Sequence, residues 1–215
     1  MTMPKIILMG GFMAVLSLFG LSGHVHAASL TTDELAARMA QRFEQTPVIR
    51  AEFMQEKAMA AFKKPLMTRG RLVFARGQGV IWKIEAPLRL TYVLGEDRIT
   101  EMGEDGVAQV RTAQDVPGLA QVGRVFRALL GAQTEALREL FTIAPEGSVD
   151  AWRLQLTPKP GPLAQAIKKI QLAGGRHVER IRIEEGNGDA TTIAFSHTSE
   201  DRMLTSAERE AFGVR

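Results

Sequence analysis

Beyond residue 27, two histidines and their neighbours are the side chains best suited to catalysis. Ser196 adjoins His197. Neighbouring residues of a strand point to opposite faces, so these two cannot form a nucleophile–base pair directly. His177 lies close to Gly174-Gly175, where an exposed, solvated histidine is expected. Neither histidine has the spacing to other ligands that a metal site requires.

The carboxylates and the catalytic motifs add little to a search for an enzyme. Glu101-Glu104-Asp105 and Glu184-Glu185 both lie near turn glycines, where solvated loop charge is the expected role. The chain lacks a G-x-S-x-G elbow, a glycine-rich phosphate loop, an H-E-x-x-H pair and any cysteine. We therefore expect neither enzymatic activity nor a cofactor or metal. An esterase using Ser196 or Ser199 is the remaining enzymatic alternative.

Composition narrows the class of protein further. The chain has 215 residues, of which 24% are charged and 45% hydrophobic. This excludes a collagen, a long coiled coil and a disordered tail, and predicts one or two domains. The net charge is only +3 and the lysines and arginines are scattered, so no nucleic-acid partner is expected.

Residues 1–27 have the pattern of a cleaved secretory signal peptide. Lys5 precedes an apolar run over 6–21, and Val25 and Ala27 occupy the small-residue cleavage positions. The run is shorter than the ~20 residues of a membrane-spanning helix. We expect a soluble exported domain over residues 28–215, located in the periplasm if the source is a bacterium.

Helical periodicity predicts helices at both ends of this domain and in its middle. Thr31 and Glu34 form a capping box, and Thr205 and Glu208 form a second one before a helix ending near Phe212. A short helix is expected from Thr134 through Phe141. Apolar residues at helical spacing mark the first helix and the central insert. They are Leu35, Met39 and Phe43, then Val122, Val125, Phe126, Leu129 and Leu130.

Between the helices the hydrophobic period is two, which predicts strands. Nine or ten are expected, at 48–54, 70–76, 80–84, 88–94, 98–102, 107–112, 152–156, 167–172, 178–184 and 191–197. Glycine-rich turns separate many of them and no β-α-β spacing occurs, so the strands are expected to be antiparallel. The predicted fold is mostly β (α+β): one domain built on a single curved sheet or open barrel, with helices covering a face.

The strand faces are unusually apolar. Alternation places Leu72, Phe74 and Arg76 on one face, Val80, Trp82 and Ile84 on another, and Leu88, Leu90, Tyr92 and Leu94 on a third. These faces are consistent with an ordinary core. They are equally consistent with a sheet too wide for its helices to fill, which would leave an apolar cavity.

Three segments resemble the LolA family, the periplasmic carriers of outer-membrane lipoproteins. They are Ala51-Glu52-Phe53-Met54-Gln55-Glu56-Lys57, Gly70-Arg71-Leu72-Val73-Phe74-Ala75-Arg76 and Trp82-Lys83-Ile84-Glu85-Ala86-Pro87. The chain departs from the family pattern at Arg76-Gly77, where the family has Arg-Pro, and we expect this to loosen the turn. It departs again at 98–102, a strand without an aromatic residue.

The resemblance implies an unclosed antiparallel barrel whose mouth is closed by helices over an apolar cavity for acyl chains. Arg76 would tie the strand to the lid helices as a latch, and Leu35, Met39, Phe43, Val122, Phe126 and Leu129 would face the cavity from the lid. The implied cavity residues are Leu72, Phe74, Val80, Trp82, Ile84, Leu90, Tyr92 and Leu94.

The partners implied by this resemblance are acylated cargo, an inner-membrane ABC-type transporter and an outer-membrane acceptor, with the carrier itself monomeric. Two alternatives remain open at this point. The protein could carry another exported lipid or polyene chain, or it could be a lipid-sensing periplasmic adaptor that transports nothing.

Overall fold

A computed structural model describes residues 34, 35, 37, 38, 41, 46–95, 98–112, 125, 128 and 134–214. The predicted signal peptide and the lid residues Met39, Phe43, Val122, Phe126 and Leu129 lie outside the described residues. Leu35 is described and is buried with the main apolar core. None of the helices in the described ranges combines the length and apolar character needed to cross a bilayer.

The described residues form eleven strands and three short helices. The strands are β1 Val48–Ala58, β2 Leu66–Ala75, β3 Gly79–Ala86, β4 Leu90–Leu94, β5 Arg98–Met102, β6 Ala108–Thr112, β7 Phe141–Ser148, β8 Ala151–Pro158, β9 Ile167–Gly174, β10 Val178–Glu185 and β11 Ala190–Asp201. The helices are α1 Thr134–Leu140, α2 Pro162–Ala166 and α3 Ser206–Phe212.

All eleven strands belong to one antiparallel sheet in the order β6-β5-β4-β3-β2-β1-β11-β10-β9-β8-β7. The first and last strands of this order, β6 and β7, do not pair with each other, so the sheet is unclosed. The prediction of a mostly β, single antiparallel sheet is confirmed.

One strand was missed by the sequence analysis. β7 begins at Phe141, which the periodicity had placed in the preceding helix, and it contains Pro145 and Gly147. Both residues normally argue against a strand, because proline donates no ladder hydrogen bond and glycine weakens pairing. β7 is an edge strand, and proline is tolerated there because one side of the backbone needs no partner.

The predicted capping box at the C-terminal helix is confirmed. The Thr205 hydroxyl accepts a hydrogen bond from Glu208 N at 3.3 Å, and Glu208 Oε2 accepts one from Thr205 N at 2.7 Å. Arg50 of β1 also binds this carboxylate, with its Nε 2.7 Å from Oε1 and its Nη2 2.6 Å from Oε2. The hydrogen bond from Arg50 lowers the pKa of Glu208 to about 2.

This bidentate ion pair holds α3 across one end of the sheet. α3 contacts β3, and Ile81 and Val93 are buried there. These two residues form a cross-strand pair on the face opposite Trp82. At this end the sheet is therefore covered on both faces. No sequence pattern indicated the Arg50–Glu208 contact, because the two residues are 158 positions apart.

The strand register defines two faces and two ends. We call the inner face the one that carries Trp82 of β3 and Leu154 of β8, and the outer face its opposite. The upper end is where β1 joins β2, and the lower end is where β2 joins β3. On the inner face of β8–β10 a set of side chains is almost completely buried: Trp152, Leu154, Leu156, Ile170, Leu172 and Ile181.

Candidate functional site

The candidate cavity residues lie side by side on the inner face of β2, β3 and β4. Leu72 pairs across the strands with Trp82, and Trp82 pairs with Tyr92. One step lower, Phe74, Val80 and Leu94 form the next row, and one step higher Ile84 pairs with Leu90. Directly opposed residues share a face, so the predicted sharing of faces holds for these positions.

An aromatic cluster surrounds Trp82. The Phe53 ring stacks on Trp82 with centroids 3.8 Å apart and planes at 25°, while Phe195 meets the same indole edge-on at 6.3 Å and 88°. Phe53 and Phe195 are themselves a cross-strand pair between β1 and β11. Neither phenylalanine was predicted as a site residue, since only strand pairing across 142 positions brings Phe53 and Phe195 together.

Gly70 makes this cluster possible. It lies on the inner face of β2 opposite Phe53 and Ile84. A Cβ at this position would collide with the carbonyl oxygen of Lys83 and lie 2.9 Å from Cζ of Phe53. The missing side chain thus leaves room for the Phe53 ring to reach Trp82, which is a physical reason for glycine at the start of the G-x-L segment.

Burial on this part of the inner face decreases from the lower to the upper end. Val80 and Leu94 are buried in the lower row, and Trp82 is buried in the middle row. Tyr92 in the middle row, and Ile84 and Leu90 in the upper row, are only partly buried. The upper end of β3 and β4 therefore presents an apolar surface that is only partly covered.

Leu88 does not join this surface. The alternation had placed it in the same strand as Leu90, but β4 begins at Leu90 and Leu88 lies in the β3–β4 connection, 73% exposed. Pro87 precedes it, and the Ala86–Pro87 peptide bond is cis. The alternating pattern therefore does not extend back through Leu88, because the β4 ladder starts two residues later.

Polar side chains of β5 and β6 border the apolar surface of β3 and β4. Tyr92 pairs with Glu101 of β5, and Ile99 of β5 pairs with Arg111 of β6, so these side chains continue the inner face. Burial raises the pKa of the Tyr92 hydroxyl, the Glu101 carboxylate raises it further and Arg111 opposes them. Tyr92 thus remains a neutral hydrogen-bonding group where the apolar surface meets charged side chains.

Arg76 lies in the β2–β3 turn at the lower end. Its backbone N donates to the Pro47 carbonyl at 2.8 Å, and its Nε is buried. The turn is closed by a 3.0 Å hydrogen bond from Gln78 N to the Ala75 carbonyl. Gly77 has φ +74°, which proline cannot adopt. Glycine therefore permits a turn geometry that proline would not, and the expected loosening of the turn stays a prediction.

Of the two histidines, His177 has surroundings that differ from those expected from the sequence. His177 is not an exposed, solvated residue. Its side chain is 14% exposed, and Nε2 lies 3.0 Å from Oε1 of Glu200, which also accepts a hydrogen bond from Arg176. Glu200 reaches this position because β11 folds back on β10, and no local pattern indicated the contact. His197 is 79% exposed, with Nδ1 3.1 Å from Oε2 of Glu52.

The model of one family matches residues 27–207, and its description is "Outer membrane lipoprotein carrier protein LolA-like". The match covers most of the chain. The protein belongs to the LolA-like family. No curated protein matches the chain at a significant level.

Several solved structures resemble this LolA-like chain at low sequence identity. A LolA superfamily protein from Nitrosomonas europaea is 12% identical with a TM-score of 0.46, covering 83% of this chain and 97% of that one. A DUF1329 family protein from Desulfovibrio piger is 14% identical with a TM-score of 0.42, covering 84% and 96%. The Pseudomonas aeruginosa MucA/MucB complex matches at 13% identity and a TM-score of 0.47, covering 83% and 60%.

Chemically, the described part of the inner face of this LolA-like protein offers an apolar contact surface. An aromatic floor of Phe53, Trp82 and Phe195 adjoins the half-buried Ile84 and Leu90. Such a surface can take up aliphatic chains, and the neutral Tyr92 hydroxyl can position a polar group at its border.

Proposed function

We propose that this protein is a non-enzymatic periplasmic carrier that holds acyl chains against the upper inner face of β3 and β4. The observation that carries the proposal is the half-open apolar row of Ile84 and Leu90 above the aromatic cluster. Monomeric proteins seldom leave apolar side chains grouped and partly exposed unless a ligand or partner covers them.

The energetics of acyl transfer suit such a surface. Each methylene removed from water contributes about 0.8 kcal/mol, so even a few methylenes on Ile84, Leu90 and the Trp82 ring give useful affinity. A carrier must also release its cargo. An incompletely enclosed site serves this requirement, because part of the chain remains accessible to the next acceptor.

A lid and a latch complete the proposal. The predicted helices carrying Leu35, Met39, Phe43, Val122, Phe126 and Leu129 would cover the inner face, and Leu35 is buried against the core there. Arg76 would bind lid groups through its guanidinium, because a buried cation requires polar partners. Entry of an acyl chain would break these hydrogen bonds and its departure would restore them.

The family description, which names an outer-membrane lipoprotein carrier, supports the cargo that we propose, and the proposed route follows from the resemblance to LolA. Acylated lipoproteins would pass from an inner-membrane ABC-type transporter to this monomer and from it to an outer-membrane acceptor. A different exported lipid would use the same surface with a different headgroup at Tyr92.

Mass spectrometry of the bound ligand tests the proposal. The protein is purified from the periplasm and extracted with organic solvent, and the extract is analysed for lipids and acylated peptides. A triacylated peptide is expected. Another bound lipid would support a carrier function with a different cargo. Repeated absence of any acyl chain would contradict the proposed carrier function.

Two adjacent residues provide a matched test of the site. Leu90→Arg places a charge on the inner face of β4, and Thr91→Arg places the same charge on the outer face one residue away, where Thr91 is also half-buried. We expect Leu90→Arg to abolish binding of a fluorescent fatty acid and Thr91→Arg to retain it. Equal loss in both would argue against this site.

Arg76→Leu tests the latch separately. The variant should bind the fatty acid at least as tightly as the wild type but release it more slowly to acceptor vesicles, because the closed empty state loses its hydrogen bonds. Unchanged uptake and release would count against a latch at Arg76 while leaving the acyl site intact.

A further inference from the structure

The hairpin that joins β1 to β2 carries a group of exposed apolar side chains at the upper end of the sheet. Phe62 at its tip is 65% exposed, and Leu66 and Met67 at the start of β2 are 47% and 45% exposed. Leu88 in the β3–β4 connection and Val107 in the β5–β6 connection are exposed at the same end. Three connections at the upper end thus carry exposed apolar residues.

The apolar surface of the hairpin surrounds its tip instead of lying on one side. Leu66 and Met67 are consecutive strand residues, so their side chains point to opposite faces of the sheet. Leu66 pairs with Lys57 and Met67 with Glu56. A groove on a protein partner would cover one face, whereas a tip that is apolar on both faces suits immersion in a medium that is apolar on all sides.

The charges at this tip favour an anionic surface. Lys63 and Lys64 follow Phe62 directly and are exposed, and within the described ranges neither has an ion-pair partner. Behind the hairpin, Lys57 Nζ lies 3.1 Å from Oε1 of Glu185 and 4.0 Å from Oδ2 of Asp189, so this lysine offsets part of the charge of the two carboxylates. Glu56, beside Met67, is the exposed acid of the hairpin itself.

The tip is also held in place. Phe62 N donates to the Met59 carbonyl at 2.9 Å, and Ala60 N donates to Oδ1 of Asp189 in the β10–β11 connection at 2.9 Å. These bonds fix the base of the loop to a neighbouring turn, which lowers the conformational entropy that docking would otherwise cost.

We propose that the β1–β2 hairpin is a membrane-docking element that inserts Phe62, with Leu66 and Met67, into an anionic lipid bilayer while Lys63 and Lys64 contact lipid phosphates. Apolar residues inserted below flanking cations are the arrangement by which peripheral proteins bind the bilayer interface. This inference concerns the tip of the sheet and does not rest on the proposed carrier function.

Site-specific fluorescence tests the proposal, because the natural chain has no cysteine. In the full chain, Phe62→Cys and, separately, Met203→Cys are labelled with an environment-sensitive fluorophore. Met203 is the matched control, since it is 74% exposed and follows β11 at the lower end. Vesicles of phosphatidylethanolamine with phosphatidylglycerol are compared with vesicles of phosphatidylcholine alone.

The label at residue 62 should shift to the blue and be quenched by doxyl lipids on the anionic vesicles, while the label at residue 203 should not change. Equal responses at both positions, or none at residue 62 on vesicles that bind the protein, would overturn the proposal. So would a complete failure of the protein to bind these vesicles.

Variants that remove charge separate the contribution of the lysines to vesicle binding from that of the apolar side chains. Lys63→Gln with Lys64→Gln should weaken sedimentation with the anionic vesicles about thirtyfold, since each surface cation contributes roughly a factor of five. Phe62→Ser with Met67→Ser should weaken it at least about tenfold. Arg202→Gln at the lower end serves as the charge control and should have little effect. If Arg202→Gln weakened binding as much as the paired lysine changes, the proposed hairpin contact would be wrong.

Discussion

The β8–β10 and β3–β4 regions share one inner face but differ at its upper end. Leu156 of β8 and Ile170 of β9 form a cross-strand pair there and are completely buried. Ile84 of β3 and Leu90 of β4 form the corresponding pair and are only partly buried. The same residue types in the same kind of pairing thus belong to a closed core in one region and to an open surface in the other.

The difference teaches that the apolar pattern of a strand does not reveal what covers it. α1 contributes Leu137 to the core beside β7, and that side chain is completely buried. On the opposite side, α3 covers the outer face of β3 at the lower end only. We interpret the first region as the stabilising half of the sheet and the second as its binding half.

The largest expected effect distinguishes the two halves by stability. Leu154→Ala should lower the free energy of unfolding by about 2–5 kcal/mol, because it leaves a cavity among completely buried side chains. Urea denaturation monitored by circular dichroism measures it. A loss no larger than that of a half-exposed leucine would contradict the assignment of β8–β10 as the core.

A glycine in the binding half should be nearly as sensitive. Gly70→Ala forces a Cβ against the Lys83 carbonyl and the Phe53 ring, which should cost about 1–3 kcal/mol by overpacking. The stacking of Phe53 on Trp82 should also change, which near-ultraviolet circular dichroism reports. An alanine accepted without loss of stability or change in that spectrum would show that the aromatic cluster is not tightly packed around residue 70.

The ion pair that holds α3 predicts a dependence of stability on pH. The folded-state pKa of Glu208, about 2, lies below the ordinary value of 4.5. Its contribution is therefore present above pH 4.5 and is lost as the pH falls from there towards 2. Because the pair is partly solvated, Glu208→Gln should cost only about 1 kcal/mol at neutral pH.

The matched control for this ion pair is Glu210→Gln, which removes an exposed carboxylate from the same helix. It should leave the acid limb of the stability curve unchanged, whereas Glu208→Gln should flatten it between pH 4.5 and 2. Identical curves for both variants would contradict a specific role of Glu208.

The smallest expected loss of stability is for a leucine at the upper end of β4. Leu90→Ala should cost less than about 1 kcal/mol of stability, since a half-exposed side chain loses little burial and leaves no closed cavity. Its affinity for a fluorescent fatty acid should fall severalfold, while Leu154→Ala should not change that affinity once the variant is folded. A stability loss for Leu90→Ala equal to that of Leu154→Ala would remove the distinction between the halves.

Much of the fold follows from local sequence signals. Alternating apolar residues mark the strands, glycine-containing segments such as Gly186-Asn187-Gly188 mark hairpin turns, and Thr205 with Glu208 marks the last helix. The signals fail where tertiary position overrides them. β7 tolerates Pro145 because it is an edge strand, and Leu88 lies in the β3–β4 connection although it continues the alternation of β4.

Only part of the candidate site could be predicted from the sequence, for the same reason. Local alternation sufficed to group Val80 with Trp82 and Leu90 with Tyr92, since a strand's period is two. It could not bring Phe53 and Phe195 to Trp82, because this cluster needs the strand order β3-β2-β1-β11, which joins strands from distant parts of the chain. Nor could it bring Glu200 to His177, because that contact needs β11 to fold back on β10.

The sequence by itself determined the antiparallel class, the faces of most strands and the resemblance to the LolA-like family, because each depends on short-range periodicity and motifs. Only the tertiary structure decided which apolar faces are closed and which stay open, where α3 is clamped by Arg50 and which hairpin projects apolar residues. The physical reason is that burial depends on what packs from outside a segment, and strand order sets that over distances of 100 residues and more.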